Sequence, residues 1–541
     1  MEVKLLKFTS CLFICSVLRM SSSTDVIVQL ENGAVLGEEM TGERGNRFFS
    51  FRGIPYAQPP VGNLRFKAPV PVTSWKDLLN ATRDGPSCPQ GDLVTGEYMG
   101  EEDCLRLNVY TPKISEGGEH LLDVIVNIHG GGFSVLNGSS WVYGPRRFRL
   151  DEALLVSITY RVSALGFLST NDSASPGNYG LLDQAEALRW VQKNIRHFGG
   201  DPKKVTILGE SAGAASVLYQ MLSPLSKDLF HRVVSMSGSV LGSWALQKDP
   251  MYWAKTFAKD VNCMTDDSYE LVECLRSKSP RELMEKENKQ VRTYPFRPVV
   301  DNIFINDLPQ NLIRERKYNP SIEVMIGTTK DEMECMPLIR KNSSADFTKE
   351  EIIAYLQMTV DEVPHNEKCI ERVWDKYFHN LTSFKAEDVL KPLGQALSDG
   401  VINKRVYLNV KLMSDVNNST IYFYEYDYYS PFASSFFFNK TGYTGVCHGS
   451  DLLMLFDGPW YHLDSSDSEG QQMKEDYQNL IINFAKYGNP NERTENSKAC
   501  NWIPAQPNSL YRYHMNVNCS VDIYDEEKDE LYKFWNEELY E

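Results

Sequence analysis

Ser211 stands in the pentapeptide Gly209-Glu210-Ser211-Ala212-Gly213. A serine hydroxyl is a weak nucleophile. It attacks an acyl carbon only when a base takes its proton and donors stabilise the oxygen that becomes charged. The flanking residues suit that chemistry. Val205-Thr206-Ile207-Leu208 ahead of the pentapeptide reads as a strand. Residues 212–222 behind it read as a helix, with Ala214, Val217, Leu218, Met221 and Leu222 on one apolar face. A G-x-S-x-G match between strand and helix has the context of a nucleophile elbow, a sharp turn that projects the serine into a cleft. Gly209 and Gly213 remove the clashes such a turn would create. The alternative is a glycine-rich turn carrying a solvated serine.

The donors have their own candidate. Val124-Ile125-Val126-Asn127-Ile128 reads as a buried strand, and His129-Gly130-Gly131-Gly132-Phe133 follows it directly. Three successive glycines leave backbone N–H groups unshielded. Gly131 and Gly132, with Ala212 after the nucleophile, could hold the oxyanion of a tetrahedral intermediate. A flexible linker or a phosphate loop is the other reading, but no Lys follows as a phosphate loop requires.

Together these motifs resemble the carboxylesterase/cholinesterase family of α/β-hydrolases. The resemblance extends over Phe51-Arg52-Gly53-Ile54-Pro55-Tyr56-Ala57 and Glu102-Asp103-Cys104-Leu105-Arg106-Leu107-Asn108-Val109-Tyr110. It continues in Asn178-Tyr179-Gly180-Leu181-Leu182-Asp183-Gln184, Phe198-Gly199-Gly200-Asp201-Pro202 and Phe484-Ala485-Lys486-Tyr487-Gly488-Asn489-Pro490. It is nearest in flavour to the secreted esterases of arthropods. It implies an α/β fold with a large twisted, mostly parallel central sheet and helices on both faces.

A serine nucleophile on this fold is followed in the chain by an acid and then a histidine. His365, His379, His448, His462 and His514 all come late enough, and the residues alone leave them open. The resemblance assigns the base to His448, in Gly445-Val446-Cys447-His448-Gly449-Ser450-Asp451, beyond the strand-like Ile421-Tyr422-Phe423-Tyr424-Glu425-Tyr426. It assigns the acid to Glu332, after the strand-like Glu323-Val324-Met325-Ile326-Gly327, with Asp331 as the alternative. Met333 stands where the family commonly has Gly, and a methionine does not adopt positive φ cheaply. Ser237 resembles a serine that supports the triad in relatives. The expected chemistry needs no metal and no organic cofactor. His448 as base predicts a rate that rises with pH, with a midpoint near 6.5 unless the site shifts it.

Composition fits one large globular unit. The 541 residues are 42% hydrophobic, and no linker divides Ser211 from His448, so residues 24–541 read as a single catalytic domain with insertions. The net charge of −16 argues against nucleic acid and anionic membrane as partners. Residues 1–23 read as a signal peptide: Lys4 and Lys7, an apolar stretch over residues 8–18, then Ser21, Ser22 and Ser23. No later run is long enough to span a membrane, and the C-terminus carries no anchor or retention signal, so a secreted protein is expected. Sequons at Asn80, Asn137, Asn171, Asn342, Asn380, Asn417 or Asn418, Asn439 and Asn518 agree with that compartment, Asn137 being the least suitable beside the oxyanion loop.

Of eleven cysteines, Cys11 and Cys15 leave with the signal. The resemblance implies disulfides Cys88–Cys104 and Cys263–Cys274. Cys500–Cys519 is a plausible third. Cys335, Cys369 and Cys447 remain, and Cys447 beside His448 reads as a packing residue, or else a reactive thiol.

The substrate is expected to be a small hydrophobic ester, of the xenobiotic, odorant or pheromone class. In cholinesterases the loop corresponding to Cys88–Cys104 is longer and carries a Trp for quaternary ammonium. Here Tyr98 is its only aromatic residue, so acetylcholine is not the expected substrate. Trp244 reads as acyl-pocket lining or core. Phe432, Phe436, Phe437 and Phe438 read as a hydrophobic entrance or as inward packing. A juvenile-hormone-type esterase is an alternative, against which stands Glu210, where those enzymes usually carry Gln. A non-catalytic adhesion or ligand-sequestering relative is the alternative of another class, against which stands the complete candidate triad.

Overall fold

Near-continuous apolar runs such as Val124-Ile125-Val126, Leu154-Leu155-Val156 and Val233-Val234 belong to strands covered on both faces, the condition of a parallel sheet wrapped by helices. The computed structural model describes residues 25–541 apart from 94, 115–119, 288–295, 341–345, 361–366, 417–418, 432, 436–443, 460, 492–499, 525–529, 536–538 and 540–541. The signal-peptide segment 1–23, the sequons at Asn342, Asn417, Asn418 and Asn439, and the aromatics Phe432, Phe436, Phe437 and Phe438 lie outside the described residues.

One thirteen-stranded sheet organises the chain. Its strands are β1 (Asp25–Gln29), β2 (Ala34–Thr41), β3 (Arg47–Pro55), β4 (Leu79–Asn80), β5 (Arg106–Thr111), β6 (Leu122–Ile128) and β7 (Leu154–Ile158). They continue with β8 (Gly200–Glu210), β9 (Arg232–Met236), β10 (Glu323–Thr329), β11 (Ile421–Tyr426), β12 (Leu510–Met515) and β13 (Ser520–Tyr524). The spatial order is β1-β2-β3-β5-β7-β6-β8-β9-β10-β11-β12-β13, with β4 beside β2. From β7 to β12 every neighbour is parallel; the strands outside that block pair antiparallel along the main path.

Alternate residues feed two cores. Val124, Val126, Ile128, Val205, Ile207, Val324 and Ile326 face one layer, and Ile125, Leu208, Val234, Met325 and Tyr424 face the other. The helix Ala212–Leu222 packs against β8 and β9. The single apolar face expected of it is incomplete as a description: Ser216 and Gln220 are buried as well. Their polar groups are met by Gln184, whose Nε2 donates to Ser216 Oγ at 3.0 Å and whose Oε1 accepts from Gln220 Nε2 at 2.9 Å. A helix interior to the domain keeps polar residues only when partners are supplied.

The chain order reverses at β6 and β8: β7 lies on one side of β6, and β8 to β12 lie on the other. In open α/β sheets ligands bind outside the carboxyl ends of the strands at such a switch point. The glycine run leaves β6 there and Ser211 leaves β8 beside it.

Candidate active site

Strands β6 and β8 are in register from Val205 opposite Val124 to Gly209 opposite Ile128, so His129-Gly130 and Glu210-Ser211 emerge side by side. Ser211 has φ 59° and ψ −120°, a conformation costly for a residue with a side chain and held only where surroundings over-determine it. Its N–H donates to the Met236 carbonyl at 2.8 Å, and its own carbonyl accepts from Ala215 N–H at 3.1 Å. The two glycines are sterically required. A Cβ on Gly209 would sit 2.3 Å from the Gly213 carbonyl oxygen, and one on Gly213 would sit 2.1 Å from that of Ile128.

Gly131 and Gly132 both have positive φ, 95° and 62°. The carbonyl of Gly131 accepts from Ser134 and Val135 N–H at 3.0 and 3.1 Å, which closes the loop into a tight turn. Ala212 is the first residue of its helix, so its N–H has no carbonyl in a preceding turn. Among the described residues none accepts from the N–H groups of Gly131, Gly132 or Ala212. The loop's own imidazole, His129, is fully buried and stacked on Tyr160, and burial lowers its pKa to about 4. It is a neutral wall, not a base.

Glu332 follows β10 and His448 lies in the long connection after β11, and the structure brings them together. Nδ1 of His448 is 2.6 Å from Glu332 Oε2, and the other oxygen, Oε1, accepts from Thr329 N–H at 2.7 Å. Asp331, the alternative acid, turns away: its Oδ2 accepts from Val446 N–H at 2.8 Å. Met333 is not among the residues with positive φ. It is buried, and its N–H donates to Ser398 Oγ at 2.9 Å, so the backbone avoids the conformation a glycine would allow.

Nε2 of His448 meets Glu210 Oε1 at 3.0 Å. A ring that faces a carboxylate from each nitrogen donates from both, which is the arrangement of an imidazolium. Burial opposes that charge, but the carboxylates of Glu210 and Glu332 outweigh it and hold the His448 pKa well above 6.5. Asp451 lies beneath, with Tyr424 and Tyr477 hydroxyls 3.3 and 3.2 Å from its Oδ2. Its burial, with Glu210 and Glu332 nearby, raises its pKa to about 7. Sequence reasoning missed the Glu210 contact. The signal was the position itself, since the residue before an elbow serine must also face the cleft or its wall. Ser237 has its Oγ buried with no hydrogen bond to the described residues, and its N–H donates to the Gly327 carbonyl at 2.8 Å.

Four disulfides are present among the described residues. Cys88–Cys104, Cys263–Cys274 and Cys500–Cys519 are those expected or judged plausible from the sequence. The fourth is a correction: Cys447 is neither a packing residue nor a reactive thiol but is bonded to Cys335. The signal was present, because each cysteine lies within three positions of a triad candidate, and two candidates that meet carry their neighbours along. Cys369 stays a buried thiol whose Sγ lies 3.3 Å from the Leu539 carbonyl oxygen.

Tyr98 in the Cys88–Cys104 loop already has a cation over its ring, the Arg281 guanidinium at 4.5 Å. Trp244 is half-buried; its Nε1 donates to Val401 carbonyl at 2.9 Å, and its ring lies 6.2 Å from that of Phe133 beside the glycine run. Of the remaining histidines, His379 and His462 are exposed, and His365 is outside the described residues. His514 pairs with Glu425 and Asp522, each at 3.2 Å. Glu425, Asp427 and His514 are mutually close enough to suit a cation. Their charges are already answered, Glu425 by Arg512 at 3.1 Å and Asp427 by Lys330 at 2.7 Å.

Comparison with known proteins agrees with this geometry. The model of the carboxylesterase family matches residues 24–535. Esterase FE4 of Myzus persicae is 33% identical over 531 residues, covering 93% of this chain and 91% of the relative. Cholinesterase of Mus musculus is 34% identical over 499 residues, 87% of this chain and 80% of the relative. Carboxylesterase 1D of Rattus norvegicus is 33% identical over 546 residues, 95% and 93% of the two chains. A strained serine at the switch point of an α/β-hydrolase sheet, together with these matches, establishes that the chain belongs to the carboxylesterase family and is a carboxylic-ester hydrolase.

Proposed function

We propose that the protein is a secreted serine esterase that hydrolyses hydrophobic esters, of the xenobiotic, odorant or pheromone class, through an acyl-Ser211 intermediate. The observation that carries this reading is the φ 59°, ψ −120° elbow at Ser211, set beside the open N–H groups of the glycine run, with the preceding residue, Glu210, meeting the His448 imidazole whose other nitrogen is bonded to buried Glu332. Ser211 Oγ attacks the ester carbonyl while His448 Nε2 takes its proton. Gly131, Gly132 and Ala212 N–H groups hold the oxyanion. His448 returns the proton to the leaving alcohol, and water then cleaves the acyl-enzyme by the same route. Glu332 keeps the ring oriented and stabilises its charge. For the first step Nε2 must be deprotonated and must exchange Glu210 for Ser211, so the base form appears only above the raised pKa of His448.

The filled face of Tyr98 supports a neutral rather than a quaternary ammonium substrate. Among the described residues no helix is long and apolar enough to cross a membrane, which agrees with secretion after removal of residues 1–23. Residues 24–541 act as one catalytic domain, since strands from Asp25 to Tyr524 enter one sheet. Asn80, Asn171, Asn380 and Asn518 are exposed and available for glycosylation, whereas Asn137 is half-buried with Nδ2 donating to Ser87 Oγ at 2.7 Å.

The test is hydrolysis of p-nitrophenyl esters of increasing acyl length by wild type and Ser211→Ala. Turnover by wild type that vanishes in the variant, with an optimum at a medium or long acyl chain, is the expected result. A folded wild type with no turnover on any ester, and no stoichiometric labelling by an organophosphate, would sink it.

A further inference from the structure

The segments that carry Glu332 and His448 come from connections after different strands, yet they are fastened at five points. Asp331 N–H donates to Val446 carbonyl at 3.0 Å, and Val446 N–H donates back to Asp331 Oδ2 at 2.8 Å. His448 N–H donates to Glu332 carbonyl at 2.7 Å. Nδ1 of the ring meets Glu332 Oε2 at 2.6 Å. The fifth point is the Cys335–Cys447 bond, with Cα atoms 6.0 Å apart and Cys447 Sγ 3.2 Å from Glu332 carbonyl oxygen. The other three disulfides close short stretches of 16, 11 and 19 residues, whereas this one spans 112. None of the other nine cysteines lies near Glu332 or His448 in the chain.

We propose that Cys335 and Cys447 are a positioning pair for catalysis: their bond fixes the separation of the acid and base segments, so that the Glu332–His448 contact survives each proton transfer. The inference rests on the reading of Ser211, His448 and Glu332 as the triad. Hydrogen bonds between two loops open and close thermally; a covalent bond does not. The fastening matters here because His448 must release Glu210, on its Nε2 side, to reach Ser211, and a ring moving on one side needs its other side held. Glu332, Glu210 and Asp451 are the titratable groups that face the ring. With the tie gone Glu332 drifts from Nδ1, the imidazolium loses its nearest carboxylate, and the pH–rate midpoint falls.

Steady-state kinetics on a p-nitrophenyl ester from pH 5 to 10 decide this for wild type, Cys335→Ala, Cys447→Ala and the double variant. Glu332→Gln serves as a comparator and the Cys263→Ala/Cys274→Ala pair as a remote control. The expected result is kcat lower by about ten- to a hundredfold, because small displacements of reacting groups cost that much. KM stays within about twofold, and the midpoint moves to lower pH. The two single variants and the double variant lose equal amounts, since all remove one bond. The remote control keeps the wild-type kcat and midpoint. Cys335→Val, which refills the volume with carbon, is made alongside. Folded variants with wild-type kcat and midpoint overturn the proposal, whatever their melting temperature. A chain that folds in neither the alanine nor the valine form also overturns it, by making the bond a requirement of folding. Full activity in Glu332→Gln would instead mean that the triad reading itself had failed.

Discussion

The turn at Ser211 is admitted by glycines two positions to either side and held by the strands beside it, whereas Glu332 and His448 are placed by each other across 116 residues. On the nucleophile side, β8, the elbow and the helix Ala212–Leu222 are contiguous. Two glycines admit the turn, and parallel neighbours at Ile128 and Met236 lock its backbone. On the other side neither Glu332, Met333 nor His448 has positive φ, and only Gly449, after the histidine, takes it. Alignment there comes from β10 and β11 lying parallel and from the fastened segments beyond them. Strain concentrates where one short peptide must do everything. Covalent and hydrogen-bonded fastening appears where two distant peptides must meet. In the chain-entropy model a disulfide closing a loop of about a hundred residues stabilises by about 4–5 kcal/mol, against about 3 kcal/mol for a short loop. The acid–base side therefore carries the larger covalent contribution.

The largest loss is expected at Ser211. Ser211→Ala should cost about 10⁵–10⁶ in kcat with an unchanged melting transition, since the strain is in the backbone and not in the hydroxyl. Turnover within a hundredfold of wild type would place the nucleophile elsewhere. On the other side, Glu332→Gln should cost about 10⁴ in kcat by presenting the wrong partner to Nδ1. Asp331→Asn should instead leave kcat nearly intact, and equal losses from the two would erase the distinction between them.

Gly213→Ala tests whether the nucleophile side depends on shape. Its Cβ would meet the Ile128 oxygen at 2.1 Å, so unfolding by urea should report about 2–3 kcal/mol of lost stability. Met333→Gly, at a position with no such requirement, should cost much less backbone strain and chiefly the burial of its side chain.

Electrostatics sharpen the contrast further. His448 has its pKa raised well above 6.5 by Glu210 and Glu332 against the effect of burial. The rate should therefore rise with pH through a midpoint above that value, where the bare sequence suggests about 6.5. Glu210→Gln removes one of the two carboxylate charges, so its midpoint should move to lower pH. A midpoint unmoved by Glu210→Gln would separate the elbow from the base.

The smallest effect is expected at the outer strands. Partnership with Asp522 and Glu425 raises His514 to about 9. A raised pKa contributes stability in full below the unfolded value of about 6.5 and loses it as pH rises through the folded value. His514→Gln should thus lower the melting temperature at pH 6 and leave it nearly unchanged at pH 10.

The elbow, the glycine run and the strands ahead of them were legible because their physics is local: apolar runs, and glycines where a turn or an open N–H demands them; the mostly parallel sheet was implied by the family resemblance. The strand over Ile421–Tyr426 is found as the sequence predicts it, and β10 only runs two residues further, to Thr329. The Glu210–His448 contact and the Cys335–Cys447 bond were not legible. Each joins residues more than a hundred positions apart, and no periodicity encodes which loops will face each other.

The amino-acid sequence by itself determined the class of chemistry, because a serine elbow and an oxyanion loop are written in adjacent residues whose backbone options are few. The family resemblance pointed to Glu332 and to two of the disulfides; only the tertiary structure decided that His448 faces Glu210 as well as Glu332 and that Cys335 pairs with Cys447. Those outcomes depend on distances between separate connections, which the order of strands in the sheet sets.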